Sequence, residues 1–134
     1  MFPIIRTGWP EGGFLSGSGL EMLDVGEGRS ALRLELRAVG RDRLLLITGG
    51  AAHAGAVSLA EPGDDAPRVR TLTAGTHREG PLSAEAAADL CRATGRAVVV
   101  VAGIHIDDAR PEEIERIVKN ARTGVRALIE RICE

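Results

Sequence analysis

All three aromatic side chains of this 134-residue sequence, Phe2, Trp9 and Phe14, fall within its first 14 positions, and there is no tyrosine. The rest of the chain must build its core from leucine, isoleucine, valine and alanine. Any planar ligand held by the main body therefore meets aliphatic walls. Aromatic stacking is available only from the N-terminal segment or from that of a symmetry mate. The length suits one domain, and a hydrophobic content of 44% fills a real core. With 27% charged residues beside it, disorder as the dominant state is excluded.

The formal charge of -2 gives no global attraction to nucleic acid or to an anionic membrane, and neither is expected as a partner. Every cation but Lys119 is an arginine, which leaves a local basic patch open. Cys91 and Cys133 form no C-x-x-C or zinc spacing and read as reduced thiols of a cytosolic protein. No apolar stretch approaches the roughly 20 residues of a membrane span, and the start lacks the two regions of a signal peptide. Cytoplasmic localisation is the expectation.

Residues 1–29 are glycine-rich and weakly periodic, and read as an irregular arm with room for a short edge strand; 30–134 reads as a single domain. From Ala31 to Ala38 apolar residues largely alternate with Arg33, Glu35 and Arg37, the period of a half-solvated strand. Gly40-Arg41-Asp42 turns the chain into Leu44–Thr48, so these two strands form a hairpin. Ala56–Ala60 and Val69–Thr73 suggest a second strand pair. A helix is expected from Ser83, whose hydroxyl suits an N-cap, to a left-handed terminator at Gly95. Ala97–Val101 reads as a central strand buried on both faces. Pro111, Glu112 and Glu113 open a long helix with an apolar stripe running from Ile114 to Ile132, and Asp108 is placed to cap it. The sum is an α+β fold: a mostly antiparallel sheet with two helices packed against it.

The three histidines share one setting, each just beyond a strand in a segment that carries glycine. Thr48-Gly49-Gly50 leads to His53 and Gly55, Gly75 precedes His77-Arg78, and Gly103 precedes His105. Glycine permits close backbone approach to a ligand, and imidazole serves as metal ligand, anion-binding cation or general base. The Gly-Gly turn with His53 suits a phosphate nest, against the alternative of a plain tight corner. Arg78 offers a bidentate donor for a clamp formed with His77, or else sits in a solvated loop. His105 reads as a ligand or proton-transfer residue, with Asp107 near enough to orient it. If His53, His77 and His105 converge, they make a metal site for Zn²⁺ or Fe²⁺. There is no nucleophile elbow, and Cys91 lies among alanines without a nearby histidine.

The segment Ile47-Thr48-Gly49-Gly50…His53-Ala54-Gly55-Ala56-Val57, with Gly103-Ile104-His105-Ile106-Asp107 leading into Pro111-Glu112-Glu113-Ile114, resembles the LpdD family. Where the family pattern reads Pro-His-Ile-Gly, this chain has Ala52-His53-Ala54-Gly55, keeping the histidine and glycine. The resemblance runs from Leu44 to the C-terminus. It implies a proteasome-assembly-chaperone-like fold that dimerises, and a chaperone, not an enzyme, that carries prenylated FMN to the apoenzyme of a UbiD-like decarboxylase. On that reading Gly49, Gly50 and His53 hold the phosphate, with Thr48 and Gly55 beside them. His105 touches ring or phosphate, and His77 and Arg78 form a loop clamp. Val57, Val101 and Ile104 supply aliphatic walls, and Trp9 or Phe14 closes over the ring. Two other readings stand beside it. One is a small metal-dependent enzyme using the three histidines; the other is an assembly factor that grips the decarboxylase without a small ligand.

Overall fold

The computed structural model describes residues 4–7, 20–75 and 78–133. The expected roles of Phe2, Trp9, Phe14 and His77 lie outside the described residues. Seven strands, β1 (Ile4–Thr7), β2 (Leu20–Val25), β3 (Leu32–Val39), β4 (Asp42–Gly50), β5 (Ala56–Glu61), β6 (Arg68–Thr73) and β7 (Val98–His105), form one sheet in the order β1-β2-β3-β4-β7-β5-β6. Helices α1 (Gly80–Thr94) and α2 (Pro111–Ile132) complete the chain. Among the described residues every strand pairing is antiparallel except that of β4 with β7.

Alternation places the core. Leu23 and Val25, Leu34 and Leu36, Leu45 and Ile47, and Val98 and Val100 point to one face and are buried. There α1 lies on β5, β6 and β7, α2 lies on β2 and β3, and the helices touch each other. The stripe of α2 meets them with Ile117, Ala121, Val125 and Leu128. Each fully buried leucine contributes about 2 kcal/mol of transfer free energy, so this layer holds the domain together.

The opposite face carries an aliphatic stripe made by Leu44, Leu46, Val99, Val101, Val57, Leu59 and Leu72, and no described helix covers it. Val99 and Val101 are only half-buried, which corrects the reading of this strand as buried on both sides. Within 1–29, β1 is the short edge strand the sequence left room for, while β2 is an inner strand that puts Leu23 into the core. Glu21, wholly buried on the helix side of β2, has Oε1 3.4 Å from Arg131 Nε of α2. Burial pushes its pKa up, and Arg131 opposes that only in part.

Two helix starts also differ from expectation. The α1 helix begins at Gly80 with Pro81 in its first turn. Ser83, instead of capping, is fully buried and donates to the Gly80 carbonyl at 3.0 Å while meeting Ser58 Oγ at 2.7 Å. Ser58 in turn meets Thr71 Oγ1 at 2.7 Å, so a chain of hydroxyls ties the start of α1 to β5 and β6. For α2 the N-cap is Arg110, not Asp108; the Arg110 N–H donates to the Glu113 carboxylate at 3.0 Å. Asp108 sits in a turn at φ 50°. The left-handed terminator at Gly95 is as expected.

The connection from β4 to β5 positions the site. These strands are not neighbours, because β7 lies between them, so residues 51–55 must cross β7. Ala51 N–H donates to the His105 carbonyl at 3.0 Å and Gly55 N–H to that of Ala102 at 2.9 Å. Between these anchors the backbone of His53 lies directly on Gly103, where a Cβ would overlap the His53 carbonyl oxygen.

Candidate functional site

The one parallel pair among the described residues, β4 and β7, ends with Gly50 beside His105. Crevices at the carboxyl ends of parallel strands are where open sheets commonly bind ligands, because adjacent chains leave in different directions. Here the crossing segment brings His53 to His105: the rings stand edge-on with centroids 6.3 Å apart. His53 Nδ1 lies 3.2 Å from the Ala51 carbonyl, and its Nε2 lies 3.7 Å from Glu79 Oε1. His105 Nε2 lies 2.9 Å from Asp107 Oδ1, the carboxylate expected to orient it. His105 itself is the last residue of β7, not a residue beyond it.

Glu79 comes from the residue before α1, where the serine chain fixes the helix start, and its carboxylate is packed against Gly55. Arg78, exposed, stands beside it. Behind this polar rim a cavity of about 330 Å³ opens between β7 and the first turns of both helices. Its floor is aliphatic, with Leu82, Ile104, Ile106, Ile114 and Ile117, while Arg78, Glu79 and His105 edge it. An apolar slot with a few convergent polar groups is the common form of a small-molecule site. Ile114 is 49% exposed although it belongs to the stripe of α2, because it faces this cavity instead of the core.

The expected residues divide between two places. His53, His105, Arg78 and Gly55 gather at the end of β7, and Ile104 lines the cavity as an expected wall. Val57 and Val101 do not line it; they belong to the uncovered sheet face. Thr48, Gly49 and Gly50 are the closing residues of β4 and not a free turn, and they line a second hollow of about 310 Å³ together with Arg33 and Asp24. Arg33 Nε and Nη2 donate to the two Asp24 oxygens at 2.8 and 3.1 Å, and these bonds, then the charge itself, raise the guanidinium pKa. Among the described residues no group of three His, Cys, Asp or Glu side chains is placed to hold a metal ion. Cys91, buried in α1, and Cys133 are both free, and burial pushes the Cys91 thiol pKa up.

An aliphatic slot edged by histidine, arginine and carboxylate, at the end of a central parallel pair, is thus held in the part of the chain from β3 to α2. A family profile described as the prenylated flavin chaperone LpdD-like domain matches residues 26–133. The chain belongs to that family. Comparison with curated proteins gives no match. Among solved structures, the LpdD-like chain is similar to one in the crystal structure of a novel chaperone complex for yeast 20S proteasome assembly. That likeness has a TM-score of 0.59 at 11% identity and covers 99% of this chain and 98% of the other, so it establishes the proteasome-assembly-chaperone fold.

Two residues of the LpdD-like site escape a reading of the sequence. Nothing local to Glu79 shows that it will be enclosed between Gly55 and the cavity. Gly103, by contrast, is legible as a glycine allowing close backbone approach, although the approaching group is the His53 backbone and not a ligand. Arg29 lies 78 positions from Asp107 yet donates to its carbonyl, and its Nε stands 3.2 Å from Glu113 Oε2.

Proposed function

We propose that this protein binds prenylated FMN and hands it to the apoenzyme of a UbiD-like decarboxylase, acting in the cytoplasm as a homodimer without catalysing a reaction itself. The observation that carries this reading is the aliphatic cavity rimmed by Arg78, Glu79 and His105, in a chain of the prenylated flavin chaperone family. Prenylation adds apolar bulk to the flavin ring, and a slot of leucine and isoleucine accepts such bulk without demanding a stacked aromatic partner. The ring system lies in the slot with His105 at its edge, His53 and Gly55 bound the entrance, and Arg78 with His77 closes over the ligand. Thr48, Gly49 and Gly50 take the phosphate end. A carrier must also release its cargo, and a site built largely from segment ends suits moderate affinity.

The aliphatic stripe of the uncovered sheet face supports the homodimer. It runs across four strands and is flanked by both signs of charge, Arg37 and Glu35 on one side and Arg70 and Glu61 on the other, so one copy can complement another. The same face is where a protein-only assembly role would reside.

The deciding experiment is an anaerobic titration of the purified protein with reduced prenylated FMN, run beside plain FMN. Saturable binding of the prenylated form at about one site per protomer is expected, with plain FMN weaker. Binding of neither would overturn the carrier reading. Metal analysis of the same preparation addresses the three-histidine enzyme, which demands a stoichiometric transition metal.

A further inference from the structure

We propose that Arg41, Arg43 and Arg96, at the end of the molecule away from the histidines, form a docking surface for an acidic segment of the decarboxylase apoenzyme. This rests on the delivery reading above and adds to it the place where the client protein is gripped.

Strands β4 and β7 run parallel from Arg43 beside Val98 to Gly50 beside His105, so the start of the pair lies roughly 23 Å from the histidine cleft. Two connections meet at that start. The turn before β4 carries Arg41, and the residues between α1 and β7 carry Arg96. They are tied together, because Arg43 N–H donates to the Ala97 carbonyl and Ala97 N–H to Asp42 Oδ1, each at 3.1 Å. The Arg43 side chain turns inward on the helix side of the sheet and is only 7% exposed. Its Nη1 donates to the carbonyls of Arg41 and Asp42 at 2.7 and 3.1 Å, while its Nε is enclosed without a partner.

A buried cation ordinarily faces a carboxylate. Here, among the described residues, no carboxylate forms an ion pair with Arg41, Arg43 or Arg96. Burial, and then the charge of Arg96, push the Arg43 pKa down, and Asp42 offsets them only in part. A guanidinium nonetheless stays charged. The fold thus holds three cations around one carboxylate, against their mutual repulsion, in a chain whose formal charge is -2. The balancing charge comes from another molecule. An acidic protein segment suits this surface better than a free anion, because Arg41 stands on an exposed turn and Val39 beside it is 57% exposed, adding an apolar contact. Arg41 and Arg96 meet carboxylates directly, and Arg43 behind them adds a charge that water screens weakly. The patch sits at the end of the sheet, so it stays open when two sheet faces pair, and a client gripped there leaves the cavity unobstructed.

The test measures the affinity of the purified full chain for purified decarboxylase apoenzyme by biolayer interferometry, at low and at high salt. Wild type should bind, and more weakly as salt rises. The double variant Arg41→Gln with Arg96→Gln should lose about tenfold in affinity while its flavin titration matches wild type. Arg43→Met carries the sharper expectation. Replacing an unpaired buried charge with an apolar side chain of similar length should leave the melting temperature unchanged or raise it, and should still weaken apoenzyme binding. A lower melt with full apoenzyme affinity would make Arg43 structural and the proposal wrong. Should Arg43→Met not fold, the exposed pair decides alone: wild-type affinity in the double variant overturns the docking surface and leaves flavin binding standing. A wild type that binds flavin but not the apoenzyme overturns both the surface and the delivery step. Tighter binding of a single-stranded oligonucleotide than of the apoenzyme, at equal salt, would assign the arginines to nucleic acid and overturn the proposal as well.

Discussion

At Gly103 the carbonyl oxygen of His53 stands where any other residue would carry its Cβ, and the two residues meet there backbone to backbone. Neither can step aside without breaking the bonds that pin the crossing segment at Ala51 and Gly55. Gly103→Ala is therefore expected to destabilise the fold by about 2–3 kcal/mol, read from urea unfolding, and to separate the two histidine rings. Glu21 shows a different residue-scale effect. Its folded pKa lies above the ordinary 4.5, so between those two values the native state binds more protons than the unfolded chain, and stability falls as pH rises through that window. Below the ordinary value the contribution is fully present. Glu21→Gln removes the titration, so its stability relative to wild type should climb from about pH 4 upward and level off once Glu21 has ionised in the fold. A difference that shrinks with rising pH would contradict the assignment.

Three separate segments meet around Arg29. The guanidinium reaches the Asp107 carbonyl and the Glu113 carboxylate, that carboxylate accepts the Arg110 N–H, and Asn120 Nδ2 donates to the Ser30 carbonyl at 3.0 Å. The short turn Gly28–Ser30 thereby fixes both the start of α2 and the segment that carries Asp107 beneath His105. Arg29→Gln should lower stability by about 1–2 kcal/mol, because the largely enclosed Glu113 carboxylate loses its cation and keeps only the Arg110 N–H, and should also weaken flavin binding. Thermal melts and the titration separate the two; a lower melt with unaltered affinity would confine Arg29 to supporting α2. This network shows what the sequence made legible. The hairpins β3–β4 and β5–β6 and the helix α2 were readable because their apolar period is local and unbroken. Strand β2 was not, because its buried positions begin with Glu21, which disguises the alternation. The start of α1 was misplaced because Ser83, a good cap by type, is drawn instead into a buried hydroxyl chain. His53 and His105 stood out by their glycine settings, whereas Arg29 and Glu79 acquire their roles only from segments far away in the chain.

For the molecule as a whole, the proposed homodimer rests on the uncovered sheet face. Leu72 is 79% exposed on β6, opposite Val57, and replacing it with glutamate puts a charge into the stripe without touching the core. Sedimentation should show wild type as a dimer and Leu72→Glu shifted toward monomer with an unchanged far-UV spectrum; a monomeric wild type would remove the homodimer. The place of β7 has a further consequence, in the order of synthesis. Its two neighbours, β4 and β5, are complete by residue 61, but β7 ends at residue 105. Until that strand emerges from the ribosome, β3–β4 and β5–β6 are two hairpins with facing bare edges, and the histidines have no common floor. Strand insertion of this kind depends on distant contacts and leaves pairing edges open to other chains meanwhile. The protein thus begins as a nascent chain in need of shelter, and the strand that closes its sheet also completes the cleft where the two histidines meet.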